Sequence, residues 1–443
     1  MPKIGQKAQQ GPTKRMQEYL QGFVPCPEGW LKKTSEGDSK GAQLYPLKCT
    51  EWDVLIHSWK KAMRWTFGLD CGLVMMLGSV MSTTLLGEQL WVKIIGPPSC
   101  GKTTLLEGVA VARKYTLSKD TIRGFYSGMD TKDKDGNSKD SSIASMARDK
   151  TLLTKDGDSL LKSPTLVQTL SEARGLYDGA GRTHYRNGVM NDYVGHRMTW
   201  VLCGTSSLRE IDDSELGARF IDCVIMDEIE DEFEDEVAWR AANSEASGMR
   251  QESNKSASSQ YPKDLATAMR LTGGYAEYLR ENASILISDL EVSDESLRVC
   301  AKLGKFVAYM RARPSKVSDE EEREFSPRLV KQIVRTMQAI AVTTGNNTMN
   351  EDVMARVVKV ALDTSRGISL EVVRSLKNKF KNGLDVRSIA LLINKSEDQV
   401  RRHVKFLVTI GVLDLKISKH TRQRRFKPTR SIKKLWEEIE RWT

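Results

Sequence analysis

The chain is 443 residues long, with 40% hydrophobic and 28% charged residues, the balance of an ordinary globular protein with room for about three domains. Its longest apolar stretch, residues 72–86, is about 15 residues and dotted with Gly and Ser, too short for a membrane span, so it reads as a buried helix. The formal net charge of +10 belongs entirely to the C-terminal segment, where residues 371–443 carry 19 Lys and Arg against 8 Asp and Glu, a single-sign excess suited to phosphate backbones.

Residues 1–50 are rich in Gly, Pro and Lys and read as an arm with a short cover over the next domain. The opening has no apolar core, so no signal peptide is expected, and the cytoplasm of a bacterial or phage-infected cell is the expected compartment. From 51 to 240, strand-like runs (WVKIIG, KTLLT, TWVLCG, FIDCVIM) alternate with helical segments. That alternation predicts an α/β domain with a parallel sheet between helical layers. The first run leads into Gly96, Pro97, Pro98, Ser99, Cys100, Gly101, Lys102, Thr103 and Thr104, the G-x-x-x-x-G-K-[ST] spacing of a phosphate-binding loop. Backbone N–H groups of the turn can wrap a β-phosphate, Lys102 can reach between the β- and γ-phosphates, and the Thr103 hydroxyl can ligate Mg²⁺. ATP and Mg²⁺ are the expected cofactors.

Further along, residues 128–140 are polar and read as a loop, and DKTLLTKDGDSLL (149–161) reads as an apolar strand followed by Lys155, Asp156 and Asp158. Residues 180–200 contain Asn187-Gly188, a hairpin signal, with Arg182, His184, Arg186 and Arg197 around it. The run TWVLCG ends at Thr205, beside Ser206 and Ser207, and Arg219 precedes the next apolar run. Eight of the ten residues 227–236 are acidic, the pattern of a solvated face. Residues 241–261 are Ser-rich and read as a flexible linker. From 262 to 370 the pattern is wholly helical, with one helix start marked by Ser326-Pro327 and followed by Arg328. Seven scattered Cys without C-x-x-C pairs, and five His without H-E-x-x-H spacing, exclude a zinc ribbon and a resident catalytic metal, leaving nucleotide-borne Mg²⁺.

Residues 371–443 have their own order: helices over 371–380, 385–394 and 396–412, the third capped by Ser396 and stopped by Gly411, then two strands joined by a basic turn. This is the order of a winged helix-turn-helix. The third helix offers Gln399, Arg402, His403 and Lys405 on its exposed faces, and the wing carries Lys416, Lys419, Arg422, Arg424, Arg425 and Lys427. Contacts with DNA are expected to be mostly to duplex phosphates, since aromatic residues are sparse here.

With these motifs in hand, ELGARFIDCVIMDEIEDE (215–236) and EFSPRLVKQIVRTMQAIAV (324–342) resemble two segments of MCM-type AAA+ ATPases, in the same order after the phosphate loop. The resemblance covers about residues 51–366. It implies an AAA+ core with an all-α lid, Arg219 as an arginine finger donated to a neighbouring subunit, and Arg328 as the second sensor. Thr205 takes the place of the first sensor, where that family more often has Asn. The strand at 149–161 departs from the family: one alignment puts Lys155 at the first acid and Asp156 at the second, and a one-residue shift makes Asp156 the metal-linked acid with Gly157 at the general base and Asp158 assisting. Slow hydrolysis is expected on that account. A hairpin before the first sensor grips DNA in the central pore of such motors, which makes Arg182, His184, Arg186 and Arg197 pore candidates. The roughly 50 residues ahead of the core are too few for the family's N-terminal collar.

Together these readings point to a ring-forming ATPase, a hexamer by analogy, that moves along or unwinds DNA in replication. A helicase loader or replication initiator that finds DNA through its winged helix, and an ATP-gated transcription regulator, use the same parts.

Overall fold

In the computed structural model the described residues are 44–128, 131–132, 138–185, 190–213, 219–226, 263–312, 325–365, 367–377, 383–417 and 423–442, with a few positions between 235 and 243. Five β-rich runs form one sheet: β1 (Trp91–Ile95), β2 (Thr116–Ser118), β5 (Thr151–Thr154), β8 (Thr199–Gly204) and β9 (Phe220–Val224), with order β2-β5-β8-β1-β9 and every pairing parallel. The central strands β1 and β8 are buried along their whole length, the pattern of a parallel sheet covered on both faces. On one face Trp91, Trp200 and Phe220 pack edge-on with Phe125, under α4 (Ile143–Ala147) and α6 (Leu166–Tyr177). Val92, Ile94, Leu153 and Val201 face the other layer, beneath α2 (Phe67–Ser82) and α3 (Lys102–Ala110). Helix α2 is the apolar stretch expected as a buried helix, enclosed on nearly all sides by sheet and helices.

One polar pair lies within the sheet. Lys93 of β1 stands opposite Asp222 of β9, its ammonium 3.0 Å from the carboxylate, with the two side chains 0% and 3% exposed. Arg209 approaches the same carboxylate at 3.6 Å.

The remaining helices finish the second layer. Helix α1 (Trp52–Ala62) and α7 (Lys263–Glu281) pack on each other, with Trp59 Nε1 donating to Thr272 Oγ1 at 2.9 Å. The segment ahead of α1 also lies against α7, so close that a side chain at Gly274 would collide with the Leu47 carbonyl. Helices α9 (Asp294–Arg311), α10 (Pro327–Thr343) and α11 (Glu351–Thr364) follow. α11 covers the free edge of β9: Asp222 N–H donates to Thr364 Oγ1 at 3.1 Å and Val224 N–H to the Asp363 carboxylate at 2.8 Å, which blocks pairing with another strand.

The C-terminal block contains α12 (Ile368–Ser375), α13 (Val386–Leu392) and α14 (Glu397–Thr409), then the antiparallel pair β10 (Leu413–Ile417) and β11 (Arg424–Pro428). Ser396 caps α14 by accepting from Gln399 N–H, and Gly411, at φ 74°, turns the chain out of the helix. A helix not expected from the sequence, α15 (Arg430–Ile439), closes the block. Its Trp436 packs on Phe306 of α9 with ring centroids 5.6 Å apart, and Lys302 donates to Glu438 at 2.8 Å. Among the described residues no helix is long and apolar enough to cross a membrane.

Candidate functional site

The chain leaves β1 at Gly96, whose N–H donates to Gly204 O of β8 at 3.2 Å, and turns through residues 97–101 before α3 begins at Lys102. Ser99 (φ 63°) and Gly101 (φ 94°) both take left-handed backbone. At Gly101 the left-handed backbone favours glycine, and an added Cβ would also press on Met63 Cε at 3.0 Å and Leu69 Cδ2 at 3.2 Å. Pro98 and Ser99 are exposed, Pro97 and Cys100 half-buried. The Lys102 side chain is drawn into the turn, where its ammonium donates to Gly96 O at 2.8 Å and Pro97 O at 2.6 Å and lies 3.5 Å from Cys100 Sγ. The N–H groups of the first turn of α3 have no acceptor within the helix, and they carry its positive dipole end. Thr103 is exposed on that turn and Thr104 half-buried beside it. A buried cation over orphan amide donors is suited to an anion with several acceptor oxygens.

Of the residues expected beside this loop, Lys155 and Asp156 leave β5 directly and Asp158 opens the next short helix. Leu153 of β5 packs toward α3 and Leu152 toward Trp200, and just beyond the strand Lys155 reaches the α3 side. Lys155 Nζ donates to Glu107 Oε1 at 2.8 Å, and this hydrogen bond raises the lysine pKa further above its ordinary value. Glu107 lies one turn beyond Thr103 on the same face of α3. Asp156 is exposed and accepts from Ser159 N–H at 3.3 Å, capping the short helix α5 (Asp158–Leu161). Asp158 and Thr205, 47 residues apart in sequence, do meet: both carboxylate oxygens of Asp158 accept from Thr205 N–H, at 2.9 and 3.2 Å, and one accepts from the hydroxyl at 3.1 Å.

A magnesium ion held by Thr103 and Asp156 would have to compete with these bonds. Lys155 is already paired with Glu107, Asp156 accepts from Ser159 N–H, and Asp158 accepts from Thr205. Among the described residues no cluster of three His, Cys, Asp or Glu side chains is arranged to hold a metal ion.

Arg219 and Arg328 lie at the other end of the sheet. Arg219 immediately precedes β9, which runs in register with β1 from Trp91↔Phe220 to Ile95↔Val224, so about 16 Å of strand separates it from the loop after β1. It is buried, donates to Asp178 Oδ2 at 2.8 Å and lies over the Tyr177 ring. Arg328, half-buried in the first turn of α10, bears electrostatically on the same Tyr177, and Gln332 one turn later donates to Arg219 O and Tyr177 OH, each at 3.0 Å. Both cations thus sit beside Tyr177, at the end of the sheet opposite the loop after β1. Asp222, three residues on, is the nearest acid to Arg219 in the β9 run; that carboxylate faces Lys93, and Asp178 takes the arginine.

Between α6 and β8 stands the hairpin of β6 (Arg182–His184) and β7 (Met190–Asp192). Arg182 and His184 are exposed, with Arg182 donating to Asp192 opposite at 3.1 Å; Arg186 and the Asn187-Gly188 turn lie outside the described residues. Arg197 does not join this group. Its guanidinium donates to the carbonyls of Thr83, Leu85 and Gly87 at 3.3, 2.5 and 3.1 Å, tying down the exit from α2. The segment expected as a loop at 128–140 carries a second small hairpin, β3 (Thr131–Lys132) with β4 (Ser138–Lys139). The bases of the two hairpins are joined: Tyr126 stacks on Tyr193 at 5.0 Å, Tyr193 OH donates to Asp140 at 2.7 Å, and Asn191 donates to Ser127 O at 3.0 Å. Sequence reasoning missed this junction, whose only signal is an aromatic residue flanking each hairpin.

In the C-terminal block Arg402 and Lys405 of α14 and Arg424 and Arg425 of β11 are exposed, while Lys419 and Arg422 lie outside the described residues. His403 is half-buried within 3.4 Å of Ser369 Oγ, so it belongs to the packing of α14 and α12 more than to its open face. Val400, Val404 and Leu407 face inward together with Phe406. In comparisons with known proteins, no family model matches the chain and no curated protein matches its sequence.

Proposed function

We propose that this protein binds ATP at the 96–104 loop and works as a ring-forming helicase or translocase on DNA in replication, in the cytosol of its host. The reading rests on one arrangement: a lysine-bearing turn at the C-terminal end of a central parallel strand, with Arg219 and Arg328 together at the opposite end of the sheet. Cations so remote from their own loop become useful only when a second copy brings its phosphates to that edge. A closed ring of such copies, a hexamer by analogy, completes every site. Arg328 is the more open of the two cations; Arg219 must exchange Asp178 for phosphate before it can act. On this reading DNA meets the exposed Arg182 and His184 of the hairpin and the basic face of the C-terminal block, with α14 and the β10–β11 ribbon taken as parts of a winged helix-turn-helix.

The test is a mixing experiment. Lys102→Ala should remain folded and lose ATP binding, and Arg328→Ala should bind ATP but hydrolyse little. Each lacks a different half of the shared site, so mixed rings should regain part of the activity. Unchanged turnover in Lys102→Ala removes the nucleotide assignment; no recovery in demonstrated mixed assemblies removes the shared site.

A second reading, a helicase loader or initiator in which ATP controls assembly, gains from Lys155 standing where turnover calls for an acid. Such a switch forms nucleotide-dependent assemblies on DNA without unwinding a fork, and a fork-unwinding assay separates the two.

A further inference from the structure

Thr103 and Glu107 stand one turn apart on α3, and Lys155 leaves β5 toward that face with its ammonium 2.8 Å from Glu107 Oε1. Oxygen donors are what a divalent cation needs beside the phosphates, and a carboxylate at the strand end is the group that holds its water shell. This chain places the Lys155 ammonium there, held by Glu107. The pair is partly sheltered, at 35% and 24% exposure, so water screens it incompletely, and two like-charged species cannot share the place without mutual repulsion. The other two carboxylates of the segment have different work: Asp156 caps α5 and Asp158 binds Thr205 through both oxygens.

We infer that nucleoside triphosphate binds this site without a divalent cation, Lys155 supplying, beside Lys102, the positive charge that a metal ion would bring. Glu107 holds the Lys155 ammonium next to the Thr103 turn while the site is empty. Arriving phosphate oxygens compete for it, and a lysine side chain is long enough to span one helical turn between the two partners. This inference rests on the nucleotide reading of the 96–104 loop and adds how phosphate charge is met there.

The experiment is a titration of the full-length protein with a fluorescent ATP analogue, followed by anisotropy, once with Mg²⁺ and once with EDTA. The expected dissociation constants agree within about threefold, whereas loss of a required cation would weaken binding by roughly tenfold or more. Lys155→Asp, which restores a carboxylate at the strand end, should make binding metal-dependent, and Lys155→Met should weaken it equally in both buffers. Strong binding with Mg²⁺ that disappears in EDTA overturns the inference and leaves the nucleotide assignment standing, with Glu107 then the metal-linked acid. Absence of binding in both buffers overturns both. The wild-type comparison decides the matter even if the Lys155 variants do not fold.

Discussion

Asp222→Ala should damage the sheet more than its small change in volume suggests, and a second substitution should repair most of the harm. The carboxylate lies 3.0 Å from a Lys93 ammonium whose side chain is 0% exposed, with Arg209 3.6 Å away on the other side. Removing it strands the buried Lys93 ammonium, whose bond to the Leu208 carbonyl is a long 3.4 Å. Breaking a buried pair in this way costs about 3–5 kcal/mol, whereas replacing both partners by apolar groups is near neutral. For a folding unit of 150–250 residues that loss corresponds to a fall of roughly 6–20 °C in Tm. The assay is urea and thermal unfolding followed by tryptophan fluorescence, since Trp91 and Trp200 are buried against this sheet and report its opening. Lys93→Met added to Asp222→Ala should recover at least about 2 kcal/mol by removing the stranded charge. A double variant no more stable than the single one would refute the reasoning and put the cost of Asp222→Ala in poorer packing.

Substituting Arg402, Lys405, Arg424 and Arg425 by Ala should lower the slope of log K against log salt for duplex binding by about 0.9 for each phosphate that is no longer neutralised, measured by anisotropy titrations across salt concentrations. An unchanged slope turns this block into a protein-docking module. Cys100 should react first among the described cysteines with iodoacetamide near pH 8, and ATP should slow it. The thiols of Cys49, Cys203, Cys223 and Cys300 are pushed up to about 12 by burial and stay protonated there, which peptide mass spectrometry can read out. Arg182→Ala combined with Arg186→Ala should keep basal ATPase activity and lose its stimulation by DNA; normal unwinding by that variant makes the hairpin structural.

The turn after β1 was legible because its chemistry is local: two glycines, a lysine and a threonine at fixed spacing, between an apolar strand and a helix. The hairpin before β8 and the capped helix α14 were legible for the same reason. Strand order was not, since the neighbours of β1 arise more than a hundred residues later in the chain and their pairing is set by which apolar faces meet. Long-range partners also decided the fate of single charges. Arg197 carries the composition of a DNA contact and is consumed by three carbonyls beyond α2, and Lys155 looked like an intruder until Glu107 appeared beside it. Helix α15 was hidden by its own charges: Ile432, Leu435, Trp436 and Ile439 keep a helical repeat, but the run of Lys and Arg around them has the look of a basic tail.

Trp436 of α15 inserts beside Phe306 of α9, and Lys302 grips Glu438 next to it, so the basic ribbon is bolted to the helix bundle and not hung from it on a tether. A tethered module samples DNA wherever its linker reaches, independently of what the rest of the chain is doing. A bolted one behaves as an arm on an axle: any rotation of α9 relative to the sheet sweeps Arg424 and Arg425 through an arc, and a ribbon caught on a DNA backbone pushes back on the bundle. A displacement of α9 would therefore reach the ribbon through the Trp436–Phe306 contact and the Lys302–Glu438 ion pair.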